Sequence, residues 1–195
     1  MKDFFQIAFW IAAVVGGLIA SFKAIAEWRK DLRWKQAEMA KTCLDEIRNN
    51  QLASAALKML DWDGRSFEES PNKSTSPIYH EDRRSALRVV NPVFPPGDPG
   101  PFIRDAFDTL FDGFERLEHF IRIDLIRFED VEQPFRYYVS KLAAPEEYPV
   151  IQAFLKEYSF VLAFRFLDRF AEWRAAAVQQ SLDTASPDSH EQYPH

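Results

Sequence analysis

The residues whose side chains are most able to bind a ligand or transfer a proton lie at helical spacing between positions 104 and 119. They are three carboxylates, two guanidinium groups and one imidazole: Arg104, Asp105, Asp108, Asp112, Arg116 and His119. At 100° per residue the acids and the histidine fall within a narrow arc of one helix. Carboxylate oxygens on such a face could bind a divalent cation, and an acid beside a histidine could exchange protons with a substrate. One helix face supplies only part of a coordination sphere, so a solvated polar surface is the simpler interpretation.

Outside this face the sequence holds few groups that could carry chemistry. The stretch 61–65, DWDGR, could form a functional loop, although a structural turn anchored by a buried Trp62 is the simpler interpretation. No Gly-rich phosphate loop, zinc-type Cys/His pattern or nucleophile elbow occurs in the 195 residues. The single cysteine, Cys43, lies in a helical apolar stripe, which predicts a small buried residue. The sequence therefore predicts no metal, no cofactor and no enzymatic activity.

The element that positions the polar face is predicted as a helix over residues 102–123. Its other side is apolar at the helical period, through Ile103, Phe107, Leu110, Phe111, Phe114, Leu117 and Ile121. The same spacing predicts further helices over 51–60, 81–90, 134–142, 147–157 and 160–180. Ion pairs within the last of them, Arg165 with Asp168 and Arg169 with Glu172, are predicted at its surface. No stretch alternates as a strand would, so the predicted fold class is all-α, a helical bundle.

The N-terminal stretch Phe4–Phe22, FFQIAFWIAAVVGGLIASF, holds nineteen residues without a charge. As a helix it would be about 28 Å long, close to the hydrocarbon thickness of a bilayer. Five cations follow it, namely Lys23, Arg29, Lys30, Arg33 and Lys35. Cationic flanks stay on the cytoplasmic side, so we expect a single span with the N-terminus outside. A cleaved secretory signal is the alternative, but the apolar stretch is longer than such signals usually have.

The membrane helix is predicted to continue without a break. No Gly or Pro occurs between Leu18 and Asp63, and apolar residues keep the helical period to about Arg48. Asn50 is then predicted to cap the next helix. We therefore expect one long helix that links the bilayer to the domain, with cations near the bilayer that meet anionic headgroups.

Small residues recur at every fourth position of the predicted span. The stripe runs through Ala8, Ala12, Gly16 and Ala20 and continues at Ala24. Small residues let membrane helices approach closely, because packing and not hydrophobic burial drives their association in lipid. Ala and Gly are also common in spans generally. Self-association through this stripe is therefore a hypothesis.

The composition of the chain limits which domains and which binding partners can be expected. The formal net charge is −6, and no basic patch with interleaved aromatics occurs beyond the cations after the span, so nucleic-acid binding is not indicated. Twelve of the eighteen phenylalanines fall between residues 102 and 170, which is typical of the core of a bundle. We predict a membrane anchor over 1–22, a cytoplasmic helical domain over 23–180 and a disordered acidic tail over 181–195.

Several short stretches together resemble a bacterial family of single-span membrane proteins with a helical cytoplasmic domain, a domain-of-unknown-function family. The stretches are Trp34-Lys35 with Ala37-Glu38, Leu60-Asp61-Trp62 with Arg65, Ile103-Arg104-Asp105 with Phe107-Asp108, Leu117-Glu118 with Phe120-Ile121, and Tyr158 with Phe160. The resemblance covers roughly residues 4–172. It implies the bacterial inner membrane and no established activity.

A looser likeness is to the HEPN-like single-span accessory proteins of Cas13b systems, which share the order of span and helices and are thought to assemble as membrane pores. HEPN ribonucleases use an arginine followed four to six residues later by a histidine. The nearest pair here, Arg116 and His119, has two residues between its members. The likeness therefore implies an architecture, and ribonuclease activity or RNA binding is kept as the alternative function.

The sequence thus predicts a single-pass inner-membrane protein whose cytoplasmic domain binds a protein partner or a second copy of itself. The lipid bilayer is its other expected partner. The span, the cations that follow it, the small-residue stripe and the missing catalytic motifs lead to this interpretation. A regulatory or defence-type role at the membrane is the function class that it favours.

Overall fold

A computed structural model describes residues 2–67, 77–89 and 93–185, and for residues 2–9, 11–13, 178 and 180–185 it describes the backbone alone. Seven helices lie in the described part of the chain: α1 Lys2–Asn49, α2 Gln51–Asp61, α3 His80–Ala86, α4 Gly100–Arg122, α5 Phe128–Leu142, α6 Tyr148–Glu157 and α7 Val161–Ala185. The described residues form no strand, only one isolated bridge between Arg65 and Ile78. The predicted all-α fold class is confirmed.

Helix α1 is continuous for 48 residues, as predicted, which corresponds to a rod of about 72 Å. It stops at Asn49, and the Asn50 side chain accepts hydrogen bonds from the amides of Leu52 and Ala53 at 3.0 and 3.1 Å. This satisfies two of the free N–H groups at the start of α2. The predicted cap is therefore confirmed. Cys43 is buried on the domain side of α1, also as predicted.

Helix α4 is the centre of the bundle and packs against α1, α2, α3 and α7. Its buried phenylalanines meet rings from later helices: Phe114 lies 5.3 Å from Phe135 and 4.9 Å from Phe166. Such tilted and edge-on aromatic pairs are favourable beyond the apolar area that they bury. On the α1 side, a Cβ built on Gly113 would lie 2.9 Å from a side-chain carbon of Ile47. Glycine at this position therefore lets the two helices approach closely.

Trp62 was predicted to fill the core, and this prediction is wrong. Its side chain is 54% exposed, and the Arg65 guanidinium stacks 4.7 Å above its ring. The core position near this turn is taken by Phe67, which packs against Phe102 with ring centroids 6.0 Å apart. The predicted turn itself is present, with Gly64 at a φ of +75°.

Three helix boundaries differ from the prediction. Helix α5 begins at Phe128, so that Pro134 lies inside the helix and not in its first turn. Helix α3 ends at Ala86, four residues before its predicted end, and the Arg104 side chain donates to the carbonyl oxygens of Ala86 and Arg88. Helix α7 runs to Ala185 and takes up the first five residues of the predicted tail, and residues 186–195 lie outside the described residues.

The N-terminal half of α1 stands clear of the domain. Every described side chain from Val14 to Leu32 is exposed, and Arg33 is the first one that is half-buried. Within the described part of the chain, no helix holds a segment long and apolar enough to cross a membrane. Nine of the nineteen residues of the predicted span have side chains that are not described, and they include Ala8 and Ala12 of the small-residue stripe.

Candidate functional site

The predicted polar face lies on helix α4. The opposite, apolar side of this helix is buried in the core. With Phe107, Leu110 and Phe114 buried, the charged residues between them must point outward. Asp105, Asp112, Arg116 and His119 are exposed, and Arg104 and Asp108 are half-buried. The six predicted site residues therefore share one helix surface, but they do not converge on one point.

Arg104 is committed to holding neighbouring segments together. One of its terminal nitrogens donates to the carbonyls of Ala86 and Arg88, at 3.0 and 3.3 Å, and the other donates to the Tyr158 hydroxyl. Its guanidinium also lies 5.3 Å from the Phe154 ring centroid. The planar fork thereby links α4 to the end of α3 and to the end of α6.

Arg116 and His119 are used separately. Arg116 donates to the Glu46 carboxylate at 2.6 Å and so connects α4 with α1. His119 is exposed, and its ring centroid lies 5.8 Å from that of Phe120. No hydrogen bond or ion pair among the described contacts joins Arg116 to His119. Arg116 and His119 therefore do not form the joined arginine–histidine pair that a HEPN-like nuclease would use.

Two acids of the face, Asp108 and Asp112, have raised pKa values. Burial raises the pKa of Asp108, and the neighbouring Asp105 and Asp112 carboxylates add to this, while Arg104 lowers it. One Asp108 oxygen is buried without a hydrogen-bond partner. Burial also raises the pKa of Asp112. Within the described residues no three His, Cys, Asp or Glu side chains are placed to hold a metal ion.

Two contacts next to this face could not be read from local spacing. Glu115 accepts hydrogen bonds from the amides of Leu162 and Ala163 at 2.8 and 3.4 Å, so a side chain of α4 caps the start of α7. Glu118, only 1% exposed, forms a two-point ion pair with Arg169 at 2.6 and 3.0 Å. The predicted pairing of Arg169 with Glu172 is therefore wrong.

Two concave regions lie away from the polar face. One is an apolar groove of about 580 Å³ between α5, α6 and α7, lined by Val139, Tyr148, Leu167 and Phe170 among others. The other, of about 340 Å³, is lined by charges of both signs around the buried Arg83. Arg83 itself is held by the Met59 carbonyl at 2.6 Å and by Glu147 at 3.4 Å. Neither region includes a residue of the predicted site.

The second predicted site is the small-residue stripe of α1. Gly16 and Ala20 are exposed, and a Cβ built on Gly16 or Gly17 would meet nothing within 4 Å. This part of the helix surface is therefore open to a neighbouring helix. Ala8 and Ala12 belong to the residues whose side chains are not described.

Comparison of the chain with family models, curated proteins and solved structures found no match. The two resemblances indicated by short stretches of the sequence therefore stay predictions.

Proposed function

We propose that this chain is a single-pass protein of the bacterial inner membrane, with its N-terminus outside and a cytoplasmic helical domain that binds proteins without catalysing a reaction. The observation that carries the proposal is that the domain leaves the side chains of residues 14–32 exposed. This segment is called the bare half of α1. Val14, Val15, Leu18, Ile19 and Phe22 are all exposed along it. An apolar surface of this extent is unfavourable in water and is typical of a membrane or partner contact.

The charge pattern supports the stated orientation. The cations Lys23, Arg29, Lys30 and Lys35 are exposed after the apolar stretch, where they could meet anionic headgroups. Arg33 has a different role from the one predicted, because it forms a two-point ion pair with Asp130 at 2.6 and 2.9 Å. Four of the five cations that were predicted to meet lipid headgroups therefore remain in this proposal.

The attachment of the domain to α1 supports a tether of fixed geometry. Besides the Arg33–Asp130 pair, the Gln36 side chain donates to the Asp124 carbonyl at 2.8 Å. The two contacts hold the first turn of α5 and the α4–α5 connection, respectively, against α1 close to the bare segment. The end of the domain formed by this connection therefore faces the bilayer in our proposal.

Carbonate extraction of cell membranes tests the anchor. The full chain should stay in the pellet after washing at high pH, whereas residues 23–195 should be found in the supernatant. Release of the full chain by carbonate would contradict the proposal. The variant Val93→Ala, at an exposed loop position far along the chain from α1, serves as a full-length control that should remain membrane-bound.

Self-association of the anchored protein is the dependent part of the proposal, with a defence-type role as its extension. The mass of the full chain in nanodiscs should exceed that of one copy, and Gly16→Leu should reduce it if the small-residue stripe is the contact. Induced expression should depolarise cells if the assembly perturbs the membrane. A mass equal to that of one copy would contradict self-association. An unchanged membrane potential would contradict a defence-type role.

A further inference from the structure

The bare half of α1 carries a second pattern besides the small-residue stripe. Four large apolar side chains recur along α1 every seven residues, all between 38% and 55% exposed, and only the last lies beyond the bare half: Leu18, Ile25, Leu32 and Met39. Val14 and Trp28, also exposed, take intermediate positions of the same repeat. These six residues are called the α1 seam. Their successive spacings of four, seven, three, four and seven residues fit the a and d line of a coiled coil, with Ser21 and Lys35 at the two remaining d positions.

We propose that the α1 seam binds the α1 seam of a second copy of this chain, with the two helices parallel in a left-handed coiled coil. The inference rests on the proposed membrane anchor, because insertion in the same direction makes neighbouring copies parallel. It names the partner and places the contact mainly outside the bilayer. The small-residue stripe is a different surface, since Ala20 lies about 160° around the helix from Leu18.

The domain of the same chain does not cover the α1 seam. It packs on the side of α1 that carries Ala40, Cys43 and Ile47, which are buried. Met39 is exposed although it lies directly beside Ala40 in sequence. The seam thus runs alongside the domain contact and stays exposed.

Lipid alone cannot cover the α1 seam. Leu18 and Met39 are about 32 Å apart along the helix, which is as long as a bilayer is thick. Charged side chains interrupt the surface between them: Lys23, Glu27, Arg29, Lys30, Asp31, Arg33, Lys35 and Glu38. If Phe4–Phe22 crosses the membrane, Met39 lies about 26 Å beyond its end. A covering partner must therefore follow α1 from the bilayer into the cytoplasm, and a second α1 has the required length and direction.

The residues beside the seam allow this parallel pairing. In a parallel dimer Ala24 of one copy lies next to Arg29 of the other, and Asp31 next to Gln36. Neither pair joins like charges. Lys35 occupies one d position, where its long stem can carry the ammonium group away from the seam.

Thiol cross-linking of the full chain in native membranes tests the inference. In a Cys43→Ala background, Ile25→Cys and Leu32→Cys place single thiols on the seam. Lys30→Cys and Trp34→Cys are the matched controls, on exposed positions that lie roughly 140–160° away around the helix. With a short bis-maleimide we expect the two seam variants to double in mass and the two controls to stay at the mass of one chain.

The outcomes separate this inference from the proposed function. Equal cross-linking at all four positions, or stronger cross-linking at Lys30 or Trp34, would overturn the seam, since random collision or another face would explain it. No cross-linking at the seam of a protein that resists carbonate would overturn the seam and leave the anchor intact. Cross-linking at the seam of a protein that carbonate releases would keep the seam and refute the anchor.

Discussion

At the scale of single residues, the charged side chains of α4 divide into those that hold other helices and those that meet solvent. Arg104, Glu115, Arg116 and Glu118 each contact an element distant in sequence. Asp105, Asp112 and His119 remain exposed. The two guanidinium groups of the predicted site are therefore engaged in contacts between helices.

The buried ion pair between Glu118 and Arg169 gives the first prediction. Arg169→Met should lower the free energy of unfolding by about 3 kcal/mol, because it leaves the Glu118 carboxylate buried without its partner. The double variant Glu118→Met with Arg169→Met should recover part of the loss, since it removes both charges. Thermal unfolding in detergent, followed by circular dichroism, measures both. Arg165→Met, at an exposed position, is the control, and an equal loss there would contradict the assignment.

Asp108 gives a prediction about pH. Burial raises the pKa of Asp108 in the folded protein, so the folded state binds its proton more tightly than the unfolded state does. Its contribution to stability should therefore fall as the pH rises above about 4, the usual range of aspartate. Asp108→Asn should remove this part of the pH dependence and stabilise the protein near neutrality.

The measurement for Asp108 is the unfolding temperature of both proteins between acidic and neutral pH. The curve of Asp108→Asn should diverge upward from that of the natural sequence as the pH rises. Asp31→Asn, exposed on the bare part of α1, should leave the dependence unchanged. Parallel curves for Asp108→Asn and the natural sequence would show that the Asp108 carboxyl is solvated.

At the scale of elements, the sequence predicts what local spacing determines. The continuity of α1, the Asn50 cap and the apolar face of α4 all follow from residues within one or two turns, and all three are confirmed. The errors come from competition between distant segments. Trp62 loses its place in the core to Phe67. Partners such as Glu46 and Arg116 are 70 residues apart, so no local pattern could indicate that Arg116 is engaged.

The close contact of α1 and α4 gives a prediction at this scale. Gly113→Val should cost about 1–3 kcal/mol of stability, because its side chain would enter the space that Ile47 occupies. Adding Ile47→Ala should recover part of the loss by vacating that space. Gly17→Val is the matched control, since a Cβ there meets nothing within 4 Å. A loss at Gly17 as large as the loss at Gly113 would contradict the close contact and point to a general effect of a β-branched residue in a helix.

At the scale of the whole molecule, α1 has two parts that differ in their surroundings within the chain. Its C-terminal part is built into the bundle, and its N-terminal part presents apolar residues that the domain leaves bare. A 48-residue helix of this kind fixes the distance and direction of the domain relative to whatever holds its N-terminal end. Our account assigns that end to the bilayer and the α1 seam to a second copy.

The most direct test of this account is the reactivity of single thiols at the two ends of the proposed span. In a Cys43→Ala background, Lys2→Cys and Trp34→Cys are treated with a membrane-impermeant maleimide, first on cells with a permeabilised outer membrane and then after lysis. We expect labelling of Lys2→Cys before lysis and of Trp34→Cys only after it. Labelling of both positions only after lysis would contradict a span with its N-terminus outside.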